Sequence, residues 1–132
     1  MWWDRQQKRP GATRDIGLRG EKLAAQYLKK RGYTLLERNY RERCGEIDLI
    51  ARQGDCLVFI EVKTRTSRRF GDPAEAVDVR KQRQLGRLAL SYLGRHNLLD
   101  TFVRFDVVSV DLERTDDPVI ELYQNAFELT DD

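Results

Sequence analysis

Two stretches of the chain carry apolar residues at the spacing of an amphipathic helix. The first runs from residue 15 to about residue 30, and its apolar positions are Leu18, Leu23, Ala24, Ala25, Tyr27 and Leu28. The second runs from residue 77 to about residue 95, with a stripe of Leu85, Leu88, Ala89, Tyr92 and Leu93. Gly32 supplies a stop signal after the first stretch. The pattern predicts two helices.

Five other segments have the β-branched, aromatic and alternating composition of strands. They cover residues 33–41, 46–51, 56–63, 102–110 and 119–123. Gly54 lies in a turn between the second and third segments and predicts a hairpin there, and residues 64–73 are predicted to form a polar loop. The order α-β-β-β-α-β-β predicts an α/β fold in which a mixed central sheet is flanked by helices.

Length and composition indicate one domain. The chain has 132 residues, of which 40% are hydrophobic and 35% charged, enough apolar material for a single core. We place the domain at residues 14–132 and a flexible tail at residues 1–13, because the tail is polar, basic and interrupted by Pro10-Gly11. Trp2 and Trp3 in the tail could stack on bases, although packing on a neighbouring surface is the more ordinary role.

Composition also limits where the protein works and what it binds. The chain contains no apolar segment typical of a signal peptide or a membrane span, which predicts a cytoplasmic protein with no membrane partner. Cys44, Cys56 and His96 are the only cysteines and histidine, which excludes a zinc site built from those residues in one chain. The net charge of +2 does not by itself indicate a nucleic-acid-binding protein.

Several charged residues stand at positions where the pattern predicts burial. In the second strand, alternation places Glu46, Asp48 and Ile50 on one face and Ile47, Leu49 and Ala51 on the other. The third strand ends its apolar run in Glu61 and Lys63, which share a face because they are two residues apart. On the first helix, Glu21 occupies the apolar stripe. The sequence therefore predicts three inward-facing carboxylates.

Three buried carboxylates require a compensating cation, because burying an unpaired one costs several kcal/mol. Lys63 offsets only one of them, and a hard cation with oxygen ligands, Mg²⁺ or Mn²⁺, fits the rest. The alternative is an internal salt-bridge network, which any one of these residues taken alone would favour. The predicted hairpin brings Asp48 and Glu61 to one place beside Lys63, and this combination favours a metal site.

Several motifs surround these residues. They are Gly17-Leu18-Arg19-Gly20-Glu21-Lys22-Leu23-Ala24, Asn39-Tyr40-Arg41, Gly45-Glu46-Ile47-Asp48-Leu49-Ile50-Ala51, Phe59-Ile60-Glu61-Val62-Lys63-Thr64-Arg65 and Asn125-Ala126-Phe127. Together they resemble the UPF0102 (YraN-like) family, over about residues 15–129, and the PD-(D/E)xK nuclease signature that relates it to the archaeal Holliday-junction resolvases. Ile47 stands where that signature has Pro, which contributes no ligand.

The resemblance implies a restriction-endonuclease-like core with a divalent-metal site. Asp48 and Glu61 would bind Mg²⁺ or Mn²⁺, Lys63 would act on the attacking water, and Glu21 would assist from the first helix. The main-chain carbonyl of Val62 is a candidate further ligand. The expected reaction is hydrolysis of DNA phosphodiester bonds, with selectivity for branched or otherwise structured DNA in repair or recombination.

Basic residues follow the third strand and open the second helix. Arg65, Arg68 and Arg69 lie in the predicted loop, and Lys81 stands with Arg80, Arg83 and Arg87 in the helix. Such charges would contact the DNA backbone, although a solvated charged face is the alternative for the helix residues. Two other functions remain: a nucleic-acid-binding module with a silent nuclease fold, and a structural protein with a charged core. The sequence does not decide protein partners or whether the protein forms a homodimer.

Overall fold

The computed structural model describes residues 12–66, 77–114 and 116–128, with side chains of the first helix from Arg14 onward. The elements in chain order are α1 (Ala12–Lys30), β1 (Thr34–Glu42), β2 (Gly45–Gln53), β3 (Cys56–Arg65), α2 (Val79–Arg95), β4 (Phe102–Asp111) and β5 (Val119–Phe127). This order confirms the predicted α-β-β-β-α-β-β fold. Neither of the two described helices is long and apolar enough to cross a membrane.

The five strands form one mixed sheet with the spatial order β1-β2-β3-β4-β5. Strands β3 and β4 are parallel, with Cys56 opposite Phe102 and Arg65 opposite Asp111, and the other three pairs are antiparallel. A parallel pair needs a crossover connection, and α2 lies in the chain between these two strands. The α/β architecture expected of a restriction-endonuclease-like core is therefore present.

The sheet separates two apolar cores, one beneath each helix. Helix α1 buries Ala24, Ala25 and Leu28 against one face of the sheet. Helix α2 buries Leu85, Leu88, Ala89, Tyr92 and Leu93 against the other. The odd and even residues of β3 divide between the two cores, with Leu57 and Phe59 on the α2 side and Val58 and Ile60 on the α1 side.

The predicted alternation in β2 holds for Leu49, Ile50 and Ala51 and is wrong before Asp48. Ile47 and Ile50 pack in the same core on the α2 side, whereas strict alternation would separate them. The opposing strand β1 contains Asn39 with φ 54°, between the paired positions Arg38↔Leu49 and Tyr40↔Ile47. Asn tolerates this left-handed conformation. At Asn39 in β1 and at Asp48 in β2, this irregularity reverses which side chains point to which face of the sheet.

Several element ends differ from the prediction, and β3 continues to Arg65, into the predicted loop. Helix α1 begins at Ala12 rather than residue 15, and β5 continues to Phe127 rather than residue 123. The longer β5 contains Asn125 with φ 51°, whose main-chain N–H donates to Asp106 at 2.9 Å. Helix α2 begins at Val79, after the N-cap Asp78. Residues 1–11 of the predicted tail, including Trp2 and Trp3, and residues 67–76 of the predicted loop lie outside the described residues.

Helix α1 approaches β3 very closely at Gly20. A Cβ atom on Gly20 would overlap Oγ1 of Thr64 and lie 2.8 Å from the Cβ of Thr64. No real Cβ atom tolerates such contacts, so only glycine allows the helix to lie this near the strand. The next helical residue is Glu21, and the close approach therefore sets the distance between Glu21 and the sheet.

We expect Gly20→Ala to lower the free energy of unfolding by about 1–3 kcal/mol, because the new methyl group forces the helix away from Thr64. Gly17→Ala is the matched control in the same helix, since nothing lies within 4 Å of a Cβ built there. It should stabilise the protein by up to about 1 kcal/mol through helix propensity. Urea unfolding of the metal-free variants measures both, and equal stabilities would contradict the close contact.

Candidate active site

Asp48 lies at the point where β2 and β3 separate. The paired ladder between these strands runs from Gln53↔Cys56 to Leu49↔Ile60, and one further step would bring Asp48 opposite Glu61. There the Val62 N–H donates to Oδ2 of Asp48 at 2.8 Å. A side-chain carboxylate therefore bonds the β3 main chain where the paired ladder ends, and the Asp48 side chain reaches across from one strand to the next.

The carboxyl groups of Asp48 and Glu61 are in contact. Burial raises the pKa of Asp48 well above its usual value, and the charge of Glu61, a hydrogen bond between the two carboxyl groups and the charge of Glu21 raise it further. The Val62 N–H opposes this rise. Two buried carboxylates in contact repel each other when both are ionised, so the pair is stabilised by nearby positive charge.

Lys63 is buried beside this pair, on the α2 side of the sheet with Glu61. Only 1% of its surface is exposed. Burial lowers its pKa to about 8, although the charges of Glu61 and Asp48 act in the opposite direction. A lysine in this state loses its proton more readily than a solvated one, which suits a group that acts on water.

Lys81 is not on an open basic surface, where the sequence placed it. It is buried, and its Nζ lies 3.3 Å from Oε2 of Glu61. Its Nζ also lies 3.4 Å from Oε1 of Gln84, whose amide nitrogen donates to the main-chain carbonyl of Cys44. The first turn of α2 therefore brings a second lysine into the site. That Lys81 contacts DNA stays a prediction. The structure places this lysine at the centre of the site, against Glu61.

Glu21 stands at one side of the site rather than at its centre. The amide nitrogen of Asn39, with its orientation assigned from its surroundings, lies 3.1 Å from both Glu21 Oε1 and Glu46 Oε1. Burial and the charge of Glu46 raise the pKa of Glu21 to about 7. Among the residues that the structure describes, no three carboxylate, cysteine or histidine side chains form a group able to hold a metal ion. The predicted role of Glu21 as a further metal ligand stays a prediction.

The predicted DNA contacts other than Lys81 are only partly described. Arg65 is the last residue of β3 and is half-buried, so it lies two residues from Lys63 at the edge of the site. Arg68 and Arg69 lie outside the described residues. Arg41 pairs with Glu46, its Nε 3.0 Å from the carboxylate.

The donor set fits a small divalent cation. Within the described residues, Oε2 of Glu61 is buried and accepts no hydrogen bond, since the Lys81 ammonium lies at ion-pair distance without the geometry of a donor. Mg²⁺ is commonly bound by one or two carboxylates together with waters and substrate phosphate, so Asp48 and Glu61 are sufficient. The role of the Val62 carbonyl as a further metal ligand stays a prediction.

Sequence reasoning missed two residues around this site, and it missed the contact of Lys81 with Glu61, since it gave Lys81 only as a DNA contact. Asn39 connects Glu21 to Glu46, Gln84 connects Lys81 to the turn at Cys44, and Lys81 pairs with Glu61. The signal for Lys81 is its place in α2, four residues before the buried Leu85 and one turn along the same stripe. Asn39 and Gln84 carry no comparable signal in the sequence.

Comparison with known proteins identifies the family. A family model described as "Uncharacterised protein family UPF0102" matches residues 20–110, from the close helix contact at Gly20 to β4. The chain belongs to the UPF0102 family. A UPF0102 protein of Geobacter sulfurreducens is 48% identical over 114 residues, covering 86% of this chain and 89% of the relative. A UPF0102 protein of Symbiobacterium thermophilum is 50% identical over 115 residues, covering 87% of this chain and 98% of the relative.

Two buried aspartates of this UPF0102 protein provide a test of the charge arrangement. Asp106 is hydrogen-bonded by Arg104 at 2.8 Å, Tyr33 at 2.9 Å and the Asn125 N–H at 2.9 Å. Asp48 instead faces Glu61. In metal-free protein, we expect Asp106→Asn to lower stability by about 3 kcal/mol, because it disrupts a buried ion pair.

Asp48→Asn should leave the stability of the metal-free protein equal to wild type or higher. The asparagine keeps an acceptor for the Val62 N–H and removes the repulsion with Glu61. Urea unfolding in the presence of a chelator compares the two variants. If both lose similar stability, Asp48 is held by compensating charges like those around Asp106, and the argument for an unsatisfied carboxylate pair fails.

Proposed function

We propose that this protein is a divalent-metal-dependent DNA endonuclease that hydrolyses phosphodiester bonds. The observation that carries the proposal is the contact between Asp48 and Glu61 at the separation of β2 and β3, with Lys63 buried beside them. Such a group of charges destabilises a fold unless a ligand relieves it, and strained charge clusters of this kind concentrate at functional sites.

Each residue has a definite role in this reaction. Asp48 and Glu61 hold Mg²⁺ or Mn²⁺, with the Val62 carbonyl as a candidate further ligand. The bound ion supplies Lewis acidity toward a phosphate oxygen and lowers the pKa of water. Lys63, buried beside the two carboxylates, orients the attacking water and stabilises the hydroxide formed from it. Glu21 acts from α1 through the Asn39 and Glu46 contacts at the side of the site.

DNA is the substrate that best fits the surrounding charge. Arg65 stands at the edge of the site, and the predicted contacts Arg68 and Arg69 follow it in the chain. Positive charges of this kind bind phosphates without selecting sequence. Selectivity for branched DNA belongs to the same proposal, on the resemblance to the resolvases. The competing function is a nucleic-acid-binding module whose nuclease site is silent.

The decisive experiment is a cleavage assay on branched, flapped, single-stranded and duplex DNA, with and without Mg²⁺ or Mn²⁺. Cleavage should require the divalent ion and should fall by at least about a hundredfold in Glu61→Gln and Lys63→Ala. Lys63→Ala should keep most of its Mn²⁺ affinity, because Lys63 acts on water rather than as a ligand. Glu61→Gln should lose that affinity, measured by calorimetry.

The silent-module alternative gives a different set of results. The wild type would cleave none of these substrates with either ion, and the two substitutions would change only stability and DNA affinity. Cleavage that persists in Glu61→Gln would place the reaction elsewhere on the protein. Circular dichroism and urea unfolding of each variant control for loss of fold.

DNA binding should depend strongly on salt and weakly on sequence. Arg65→Ala should reduce the slope of log affinity against log salt concentration by about 0.9 for each duplex phosphate that the variant no longer neutralises. Arg31→Ala is the matched control. Arg31 is exposed, follows α1 and lines a pocket together with Gln53. Gln53 is the last residue of β2, so this control lies far along the strand from Asp48. Fluorescence anisotropy at several salt concentrations measures both slopes. An unchanged slope in Arg65→Ala would move the binding surface away from the end of β3.

A further inference from the structure

Lys81 occupies a position that the proposed reaction does not use. Its side chain is 2% exposed and comes from α2, on the side of the sheet to which Glu61 and Lys63 belong. Its Nζ lies 3.3 Å from Oε2 of Glu61. That oxygen is the one buried side-chain polar atom without a hydrogen bond among the described residues. Lys81 therefore neutralises Glu61 without satisfying it.

This arrangement makes Lys81 a substitute for a metal ion. A divalent cation at Asp48 and Glu61 needs an oxygen of Glu61, and the ammonium of Lys81 lies against Oε2. Two cations competing for one carboxylate repel each other in a site of low dielectric. The ion pair without a hydrogen bond is weaker than a well-formed one and is the interaction that a stronger cation replaces.

Gln84 provides a second place for the same ammonium. Its Oε1 lies 3.4 Å from Lys81 Nζ, and its amide nitrogen donates to the carbonyl of Cys44 in the turn between β1 and β2. Gly45 completes this contact, because a Cβ there would lie 2.7 Å from the Gln84 amide nitrogen. Gln84 is thus held by the hairpin turn. It can keep Lys81 at the site after a divalent cation has replaced the lysine at Glu61.

We propose that Lys81 is an exchangeable counter-ion: it pairs with Glu61 in the metal-free protein, yields Glu61 to the divalent cation, and then binds a phosphate oxygen of the substrate. The inference rests on the proposed function. It makes Lys81 a substrate-binding residue of the site and Gln84 a positioning residue that acts through Lys81. The exchange also keeps the carboxylates partly neutralised before the cation arrives, which reduces their cost to folding.

The first test is calorimetric titration of Mn²⁺ into wild type and Lys81→Met, which keeps a long side chain without the charge. Lys81→Met should bind Mn²⁺ about tenfold more tightly, because the competing cation is gone. Lys22→Met is the matched control, since Lys22 is exposed on α1 and adjacent in sequence to Glu21. Its Mn²⁺ affinity should equal that of wild type. Equal or weaker binding by Lys81→Met would overturn the exchange, as would absence of Mn²⁺ binding by both proteins.

The second test uses the wild-type protein and so does not depend on the folding of a variant. A crystal structure with Mn²⁺ should place Lys81 Nζ beyond about 4 Å from Glu61 Oε2, the limit of an ion pair. Lys81 Nζ still at its metal-free distance would overturn the proposal.

The third test addresses the phosphate contact. With Mn²⁺ present, Lys81→Met and Gln84→Met should each raise the KM for DNA several-fold. For Gln84→Met the kcat should change less than the KM, and a loss of stability alone would not produce this difference. An unchanged KM in Lys81→Met would overturn this contact. If the wild type cleaves no DNA, the nuclease proposal fails by itself, whereas the Mn²⁺ titration and the crystal structure still decide whether Lys81 exchanges with the cation.

Discussion

The hydrogen bond from the Val62 N–H to the carboxylate of Asp48 is the contact on which the site depends. It lies one step beyond the last paired residues of β2 and β3, so the side chain of one strand bonds the main chain of the next. This keeps the Val62 N–H satisfied while the strands separate, and a buried N–H must have a partner. The same bond holds the Asp48 carboxylate between the two faces of the sheet.

From this position Asp48 meets groups from both layers of helices. Glu61 and Lys81 lie toward α2, and the charge of Glu21 reaches Asp48 from α1. The close contact between Gly20 and Thr64 brings α1 near enough for that effect. Residues of α1, of the sheet and of α2 therefore all contribute charges to the site, and these charges do not lie on one face of the sheet.

The protein contains two buried acidic centres of opposite character. Asp106 receives hydrogen bonds from Arg104, Tyr33 and the Asn125 main chain, so its charge is balanced within the fold. Asp48 faces another carboxylate, and Oε2 of Glu61 accepts no hydrogen bond among the described residues. Buried polar groups in native proteins are generally hydrogen-bonded, so the unsatisfied oxygen of Glu61 requires an explanation that Asp106 does not. This difference is the reason for proposing that the chemistry occurs at Asp48 and Glu61.

The sequence by itself determined the order of elements, the mixed sheet and the burial of Asp48, Glu61 and Lys63, because apolar periodicity and a charge within an apolar strand are local signals. Only the tertiary structure decided what these residues meet. It buried Lys81 against Glu61, placed Glu21 beside Asn39 and Glu46, and put Ile47 on the α2 side. These outcomes depend on a left-handed Asn39 and on how α2 packs across β3, which arise from contacts between residues distant in the chain.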